Sequence, residues 1–242
     1  MTNRRVSITI RRIVSAGLLA LASTPVAAQQ QRPKQPSPSS LYVPRDVRRA
    51  YAKKTRSPDG RPGAAYWQNR ARYTITVETA PPDRRVTGSE RITYFNQSPD
   101  TLRTLVIRLL VNIHKPGAPR FGGAPDAYLT SGVHVDAFAV NDRATPWDSV
   151  SGPYFTWQPV RLAEPLLPND SVRLAFDWHY DVSVQSGREG AIDSTTFFLA
   201  YFYPRVSVYD DYNGWDREDF NDALEFYSDF NDYDVTVKVP AN

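Results

Sequence analysis

The chain of 242 residues contains no cysteine. Disulfides, thiolate nucleophiles and cysteine-ligated zinc are excluded, so a fold in an oxidising compartment has to be held by its core alone. Histidine is nearly as scarce. His114, His134 and His179 make up the full set, and none has another histidine or an acid at HExxH or HxH spacing. Zinc asks for three or four converging ligands, and three scattered histidines read as surface or partly packed residues. There is no GxSxG elbow for a serine nucleophile. The Gly122-Gly123 pair is not followed by the Lys-Ser or Lys-Thr of a phosphate loop. A long apolar run is missing too. Residues 13–22 (IVSAGLLALA) make only about half of the ~20 residues that a membrane-spanning helix needs, so no stable span is expected.

That short run has a meaning where it stands. Arg4, Arg5, Arg11 and Arg12 precede it, and the small residues Val26, Ala27 and Ala28 follow. This is the pattern of a secretory leader, so residues 1–28 are expected to be a signal peptide and the mature chain to be exported, periplasmic or secreted. The leader carries four arginines and no acid, so the formal charge of +3 for the whole chain becomes −1 without it. Nothing in that balance speaks for nucleic acid. Residues 29–65 begin QQQRPKQPSPSS and return to turn chemistry in KKTRSPDGRPG. Such a segment buries too little apolar surface to offset its ordering and is expected to be a largely disordered linker. A short helix is expected within 41–54 (LYVPRDVRRAYAKK).

Twelve per cent aromatic residues and twenty prolines point to a β-rich, turn-rich fold over 66–242. Residues 72–79 alternate, with Tyr73, Ile75 and Val77 on one face, and 86–96 follow with Ile92 and Tyr94. The two make a hairpin. Period two continues through Leu105, Ile107, Leu109 and Val111 in 101–113. Residues 133–141 read as a bulged strand, because Val133 and Val135 are out of phase with Phe138 and Val140. Strands are also expected over 154–162 and 171–182, a buried one over 195–203 (TTFFLAYFY), and a last one on Val235, Val237 and Val239. EPLLPNDS reads as a turn. The class is all-β: a large curved antiparallel or mixed sheet, or a sandwich.

Residues 203–216, YPRVSVYDDYNGWD, look most like a site. An EF-hand register that sets Gly214 at its turn puts Tyr209 in the first ligand position and Phe220 in the last, so that motif fails. From 205 to 242 ten acids face three bases. This is either a solvated surface or an acidic rim for a partner or a cationic group. A different function class, a stand-alone extracellular module for carbohydrate or peptide, would stack its ligand on Trp147, Trp157, Tyr209, Tyr212 and Trp215.

Four stretches, by their order and spacing, resemble the N-terminal β-domain of the aminopeptidase N family of zinc metallopeptidases. They are YWQNRARYTITVETAPPDRRVTGSERITYFNQSPDTLRTLVIRLLVNI, LAEPLLPNDSVRLAFDW, YFYPRVSVYDDYNGWD and EFYSDFNDYDVTVKVPAN. The resemblance implies a saddle-like β fold and a non-catalytic domain, as a fragment or truncated form, of a secreted enzyme acting on peptide N-termini. In that family a HExxH helix and a downstream Glu hold zinc, and a GxMEN-like loop grips the substrate. Neither motif occurs here, so the resemblance implies no catalytic residue, metal or cofactor in this chain, with zinc in the catalytic domain of a full-length parent. That domain, in the same polypeptide or as a separate chain, is the implied partner, and peptides are reached through it. Some members offer a Gln or Glu just before the proline-containing segment; the matching FFLAYF here has none. Tyr203, Pro204, Tyr209, Asp210, Asp211, Asn213, Trp215 and Asp216 would then form an interdomain contact and cleft rim.

Overall fold

The computed structural model describes residues 4–8, 42–147, 156–185, 189–221, 223 and 226–241. Its strands are β1 (Arg4–Ile8), β2 (Arg70–Thr79), β3 (Arg85–Phe95), β4 (Leu102–Arg108), β5 (His134–Val140), β6 (Arg143–Ala144), β7 (Trp157–Leu166) and β8 (Ser171–Asp181). The later strands are short until the last: β9 (Gly190–Ala191), β10 (Phe197–Phe198), β11 (Arg205–Val206), β12 (Tyr209–Asp210), β13 (Gly214–Trp215) and β14 (Asp232–Val239). Seven of them form one sheet in the order β1-β14-β2-β3-β8-β5-β6. β14 runs parallel to β2, and the other neighbours in this sheet are antiparallel. A second sheet has the order β11-β4-β7.

The alternation read from the sequence is what builds the larger sheet. Ala71, Tyr73, Ile75 and Val77 of β2, Val86, Ile92 and Tyr94 of β3, and Val172, Leu174, Phe176 and Trp178 of β8 all point inward. Leu105, Ile107, Val160, Leu162 and Val206 of the smaller sheet join them in one buried cluster. The architecture is thus all-β, two sheets of mixed and antiparallel strands around a shared core. The expected bulge in β5 is present as a register shift between Val135 and Ala137 opposite β8.

Gly88 shows how tight this core is. It pairs with Trp178 across the β3–β8 ladder, and a Cβ there would lie 2.1 Å from the indole. Gly88→Ala forces the buried ring to move, and overpacking of this kind is expected to cost about 2 kcal/mol. A urea titration followed by tryptophan fluorescence measures it, and an unchanged midpoint would refute the close packing.

Three expectations are corrected. The strand over 101–113 stops at Arg108 and continues as a 3-10 turn, Leu110–His114. The apolar run persists there because Leu109 and Val111 stay in the main core while Leu110 and Ile113 bury against Phe220 in a separate small cluster. EPLLPNDS is not a turn throughout: β7 carries on to Leu166, which pairs with Leu102 past a bulge. TTFFLAYFY is not a buried strand. Only Phe197–Phe198 pairs, with β9, and Phe198 is half exposed. Its other rings bury singly, Phe202 against Trp178, Tyr203 against Tyr73 and Tyr201 against Phe220, on an irregular backbone.

The described part of the stretch read as linker starts at Tyr42 and contains the helix Arg45–Ala52, matching the one expected within 41–54. β1 lies in the stretch read as a leader and pairs with the outer edge of β14. No helix among the described residues is long and apolar enough to cross a membrane.

Candidate functional site

The segment 203–216 folds as a strand on the smaller sheet followed by a tight hairpin. β11 pairs with β4, and the Val206 N–H donates to the Tyr73 hydroxyl at 3.1 Å. β12 and β13 then pair Tyr209 with Trp215 and Asp210 with Gly214. Gly214 sits at φ +76, a left-handed conformation that suits glycine. The three aspartates all accept hydrogen bonds from within the chain. Asp210 Oδ1 accepts the N–H groups of Tyr212, Asn213 and Gly214 at 3.1, 2.6 and 3.2 Å, closing the turn. Its Oδ2 accepts the Tyr227 hydroxyl at 3.0 Å. Asp211 is buried and takes both Arg56 nitrogens, at 2.8 to 3.1 Å, and the Thr55 hydroxyl at 2.5 Å. Asp216 is buried against Arg108.

The aromatic residues line the outside of this frame. Tyr209 stacks on Trp67 at 5.7 Å, leans on Trp215 at 5.1 Å, and donates to Asp100 at 2.8 Å. Burial and the nearby Asp100 carboxylate push its phenol well above the usual range. Trp215 also meets Tyr94. Tyr203 donates to the Tyr233 hydroxyl at 3.0 Å and lies under the Arg205 guanidinium. Pro204 is buried and Asn213 exposed. The structure therefore brings Tyr209, Asp210, Asp211, Asn213, Trp215 and Asp216 together in one hairpin, with Tyr203 and Pro204 on the strand before it. The five-ring stacking set does not assemble: Trp157 is buried, and Trp147 packs edge-on against Phe138 and Phe176.

Asp211 ties the segment 42–65 to the hairpin, since Arg56 and Thr55 both come from it. Charge-assisted hydrogen bonds to a buried carboxylate are worth about 1.5–3 kcal/mol each way they are broken. Asp211→Ala is expected to cost about 2 kcal/mol and to speed trypsin cleavage after Lys53 and Lys54 roughly tenfold. Unchanged cleavage would mean the contact does not hold the segment.

Beside the hairpin is a cavity of about 290 Å³. Trp67, Tyr209, Tyr212 and Tyr227 wall it, with Asp210 and Asp229. The net acidity of residues 205–242 gave a hint of Asp229, but nothing in the order of residues pointed to Trp67 or Tyr227 facing it. Burial raises the Asp229 carboxyl to about 6 against an opposing bond from Gln68, with a smaller push in the same upward direction from Asp210.

A second group of charges lies inside the core. Both carboxylate oxygens of Glu90 are buried without a hydrogen-bond partner among the described residues. Burial holds its carboxyl well above the usual range, and Arg205 opposes this less strongly. Glu189, also buried, accepts the Tyr201 N–H at 3.2 Å, and burial raises it to about 7. Glu90 was findable: it shares the inward parity of Val86, Ile92 and Tyr94. No pattern marked Glu189.

Among the described residues no three His, Asp or Glu side chains are grouped to hold a metal. His134 and His179 stack face to face at 4.9 Å, so their ring nitrogens do not converge on an ion. His114 is buried beside Tyr128.

No family profile matches the sequence, and no curated protein is significantly similar to it. Among solved structures, the chain is similar to an M1 zinc metallopeptidase from Deinococcus radiodurans, with 18% identity over 55% of this chain and 24% of that one, at a TM-score of 0.34. A mutant form of that enzyme bound to a Tyr-Ser-Ala substrate gives 16% identity over 52% and 23%, at 0.33. A putative nutrient binding protein from Legionella pneumophila gives 10% identity over 48% and 44%, at 0.25. The chain spans about a quarter of the length of the peptidase structures.

Proposed function

We propose that this chain is a non-catalytic β-domain that packs against the catalytic domain of an exported zinc aminopeptidase and rims its cleft with the 203–216 segment. The catalytic domain belongs either to the same polypeptide or to a separate chain. The observation that carries this reading is the construction of the hairpin. Asp210, Asp211 and Asp216 are engaged by the backbone, Arg56 and Arg108, and they hold a rigid frame rather than a reaction centre. What the hairpin leaves at its margin is aromatic: Tyr66 and Tyr227 are exposed beside it. Exposed rings on a preorganised frame suit a contact surface. The four stretches resembling aminopeptidase N support the choice of partner. A carbohydrate or peptide module acting alone would have to work with Tyr209, Tyr212 and Trp215, since Trp147 and Trp157 pack elsewhere.

The test is an antibody raised to residues 66–242, used on fractionated cell extract and then for immunoprecipitation. The proposal expects the captured native species to contain, in one chain or two, a polypeptide with HExxH, and to hydrolyse aminoacyl amides until a chelator is added. The purified chain with added zinc should show no hydrolysis. A native species of this length alone, with no associated peptidase, would overturn the reading, as would zinc-dependent hydrolysis by the purified chain.

A further inference from the structure

The cavity beside the hairpin combines three features. Its walls are aromatic faces and edges from Trp67, Tyr209, Tyr212 and Tyr227. Its carboxylates outnumber its cations: Asp210, Asp211 and Asp229 line it against Arg56 alone, which leaves an excess of two negative charges. Its volume of about 290 Å³ is at the small end of the roughly 300–1,000 Å³ found for ligand sites. The walls are fixed from behind. Asp210 holds the Tyr227 hydroxyl, Trp67 is stacked on Tyr209, and Arg56 lies over Tyr212 at 4.8 Å while bonded to Asp211.

This neighbourhood already pairs cations with rings. Arg56 sits over Tyr212, and Arg205 sits over Tyr203 at 4.7 Å and Phe226 at 4.9 Å. Of the three carboxylates, Asp211 is paired with Arg56 and Asp210 is filled by three N–H groups and the Tyr227 hydroxyl, whereas Asp229 has neither. Among the described residues its carboxylate takes one hydrogen bond, a long one of 3.5 Å from Gln68, and no cation pairs with it. A half-buried carboxylate in a cavity walled by aromatic rings is left without a counter-charge. We propose that this cavity binds a primary alkylammonium group, the end of a lysine side chain or a small free amine, with its charge on Asp229 and its alkyl stem against the rings. A sugar fits less well, because Trp67 and Tyr209 each give one ring face to the other. A metal ion fits less well, because Asp210 Oδ1 is occupied by three N–H groups and Asp211 by Arg56 and Thr55. The inference stands on this chain alone and does not depend on a peptidase partner.

Isothermal titration of the full chain at pH 7.5 with n-butylammonium, n-butanol and N-acetyl-lysine methylamide tests it. The expected result is binding of butylammonium at least tenfold tighter than the neutral alcohol. Asp229→Asn, nearly isosteric, should weaken it at least tenfold with an unchanged near-ultraviolet spectrum. On the unaltered protein, the same titration at pH 5 should show weaker binding, since Asp229 is protonated below about 6. Equal affinity for the lysine amide assigns the site to a side chain of a partner, and loss of affinity for it assigns the site to a free amine; either supports the ammonium class. Equal binding of butanol, no response to both Asp229→Asn and pH, or no binding of any probe at millimolar concentration would overturn the proposal.

Discussion

Arg108→Ala is expected to remove about 3–5 kcal/mol of stability, the range for breaking a buried ion pair from one side. Arg108 and Asp216 are both almost fully buried, and one guanidinium nitrogen bonds the carboxylate while the other bonds the Glu218 carbonyl. Removing the arginine leaves Asp216 with only the Glu218 N–H at 3.1 Å on Oδ1, and a buried charge without a partner. At this chain length a loss of that size lowers the melting temperature by roughly 6–20 °C. The double replacement Arg108→Met with Asp216→Leu removes the charge from both sides and is expected to cost less than either single change. Thermal and urea unfolding of the four proteins measures the coupling. A single replacement that costs under about 1 kcal/mol would show that the pair is solvated and does not pin the segment. The consequence reaches the site. Arg108 ends β4, and Asp216 follows β13, so this pair fastens the far end of the aromatic hairpin to the smaller sheet. Asp211 with Arg56 fastens the middle of the hairpin to the segment 42–65. The placement of Tyr209, Trp215 and the cavity beside them follows from these two anchors.

Much of the larger sheet was legible because its strands are buried on one face. Tyr73, Ile75 and Val77, then Val172, Leu174, Phe176 and Trp178, alternate with polar residues, and alternation can be read without knowing the partner strand. The smaller sheet was harder. Leu105, Val106 and Ile107 are all fully buried, so periodicity marks no end, and the chain leaves the strand for a turn while remaining apolar. TTFFLAYFY misled for a related reason: Tyr201, Phe202 and Tyr203 are partly buried against Phe220, Trp178 and Tyr73, which gives a hydrophobic run with only a two-residue ladder. Residues 203–216 stand out in the sequence as one aromatic and acidic stretch and fold as one strand and hairpin, but their partners were not legible. The aspartates read as a free acidic rim because Arg56 and Arg108 are far away in the chain, 155 and 108 residues distant. Long-range pairing of this kind leaves no local pattern.

Raising the pH from about 4.5 to about 7 is expected to lower stability by roughly 3 kcal/mol through Glu189. The carboxyl is buried beside Tyr180, with one oxygen lacking a hydrogen bond among the described residues, and burial raises it from 4.5 to about 7. The folded protein therefore keeps the proton where the unfolded chain has lost it. Below about 4.5 both states are protonated and the neutral carboxyl's contribution is fully present; it is lost progressively as pH climbs to the folded value, at 1.36 kcal/mol per pH unit of difference. Glu90, also held above the usual range by burial, acts in the same direction. Asp229, raised to about 6, adds to it, while His134, whose imidazole burial holds below its usual range, acts the other way and loses stability as pH falls. The wild-type profile sums these groups, so the decisive quantity is the difference from Glu189→Gln, which keeps the neutral shape at every pH. The variant should match the wild type near pH 4.5 and exceed it by about 3 kcal/mol at pH 8. Urea midpoints at pH 4.5, 6, 7 and 8 measure this, and parallel curves would place Glu189 in contact with solvent. A chain without disulfides would then owe part of its stability to mild acidity, through buried carboxyls.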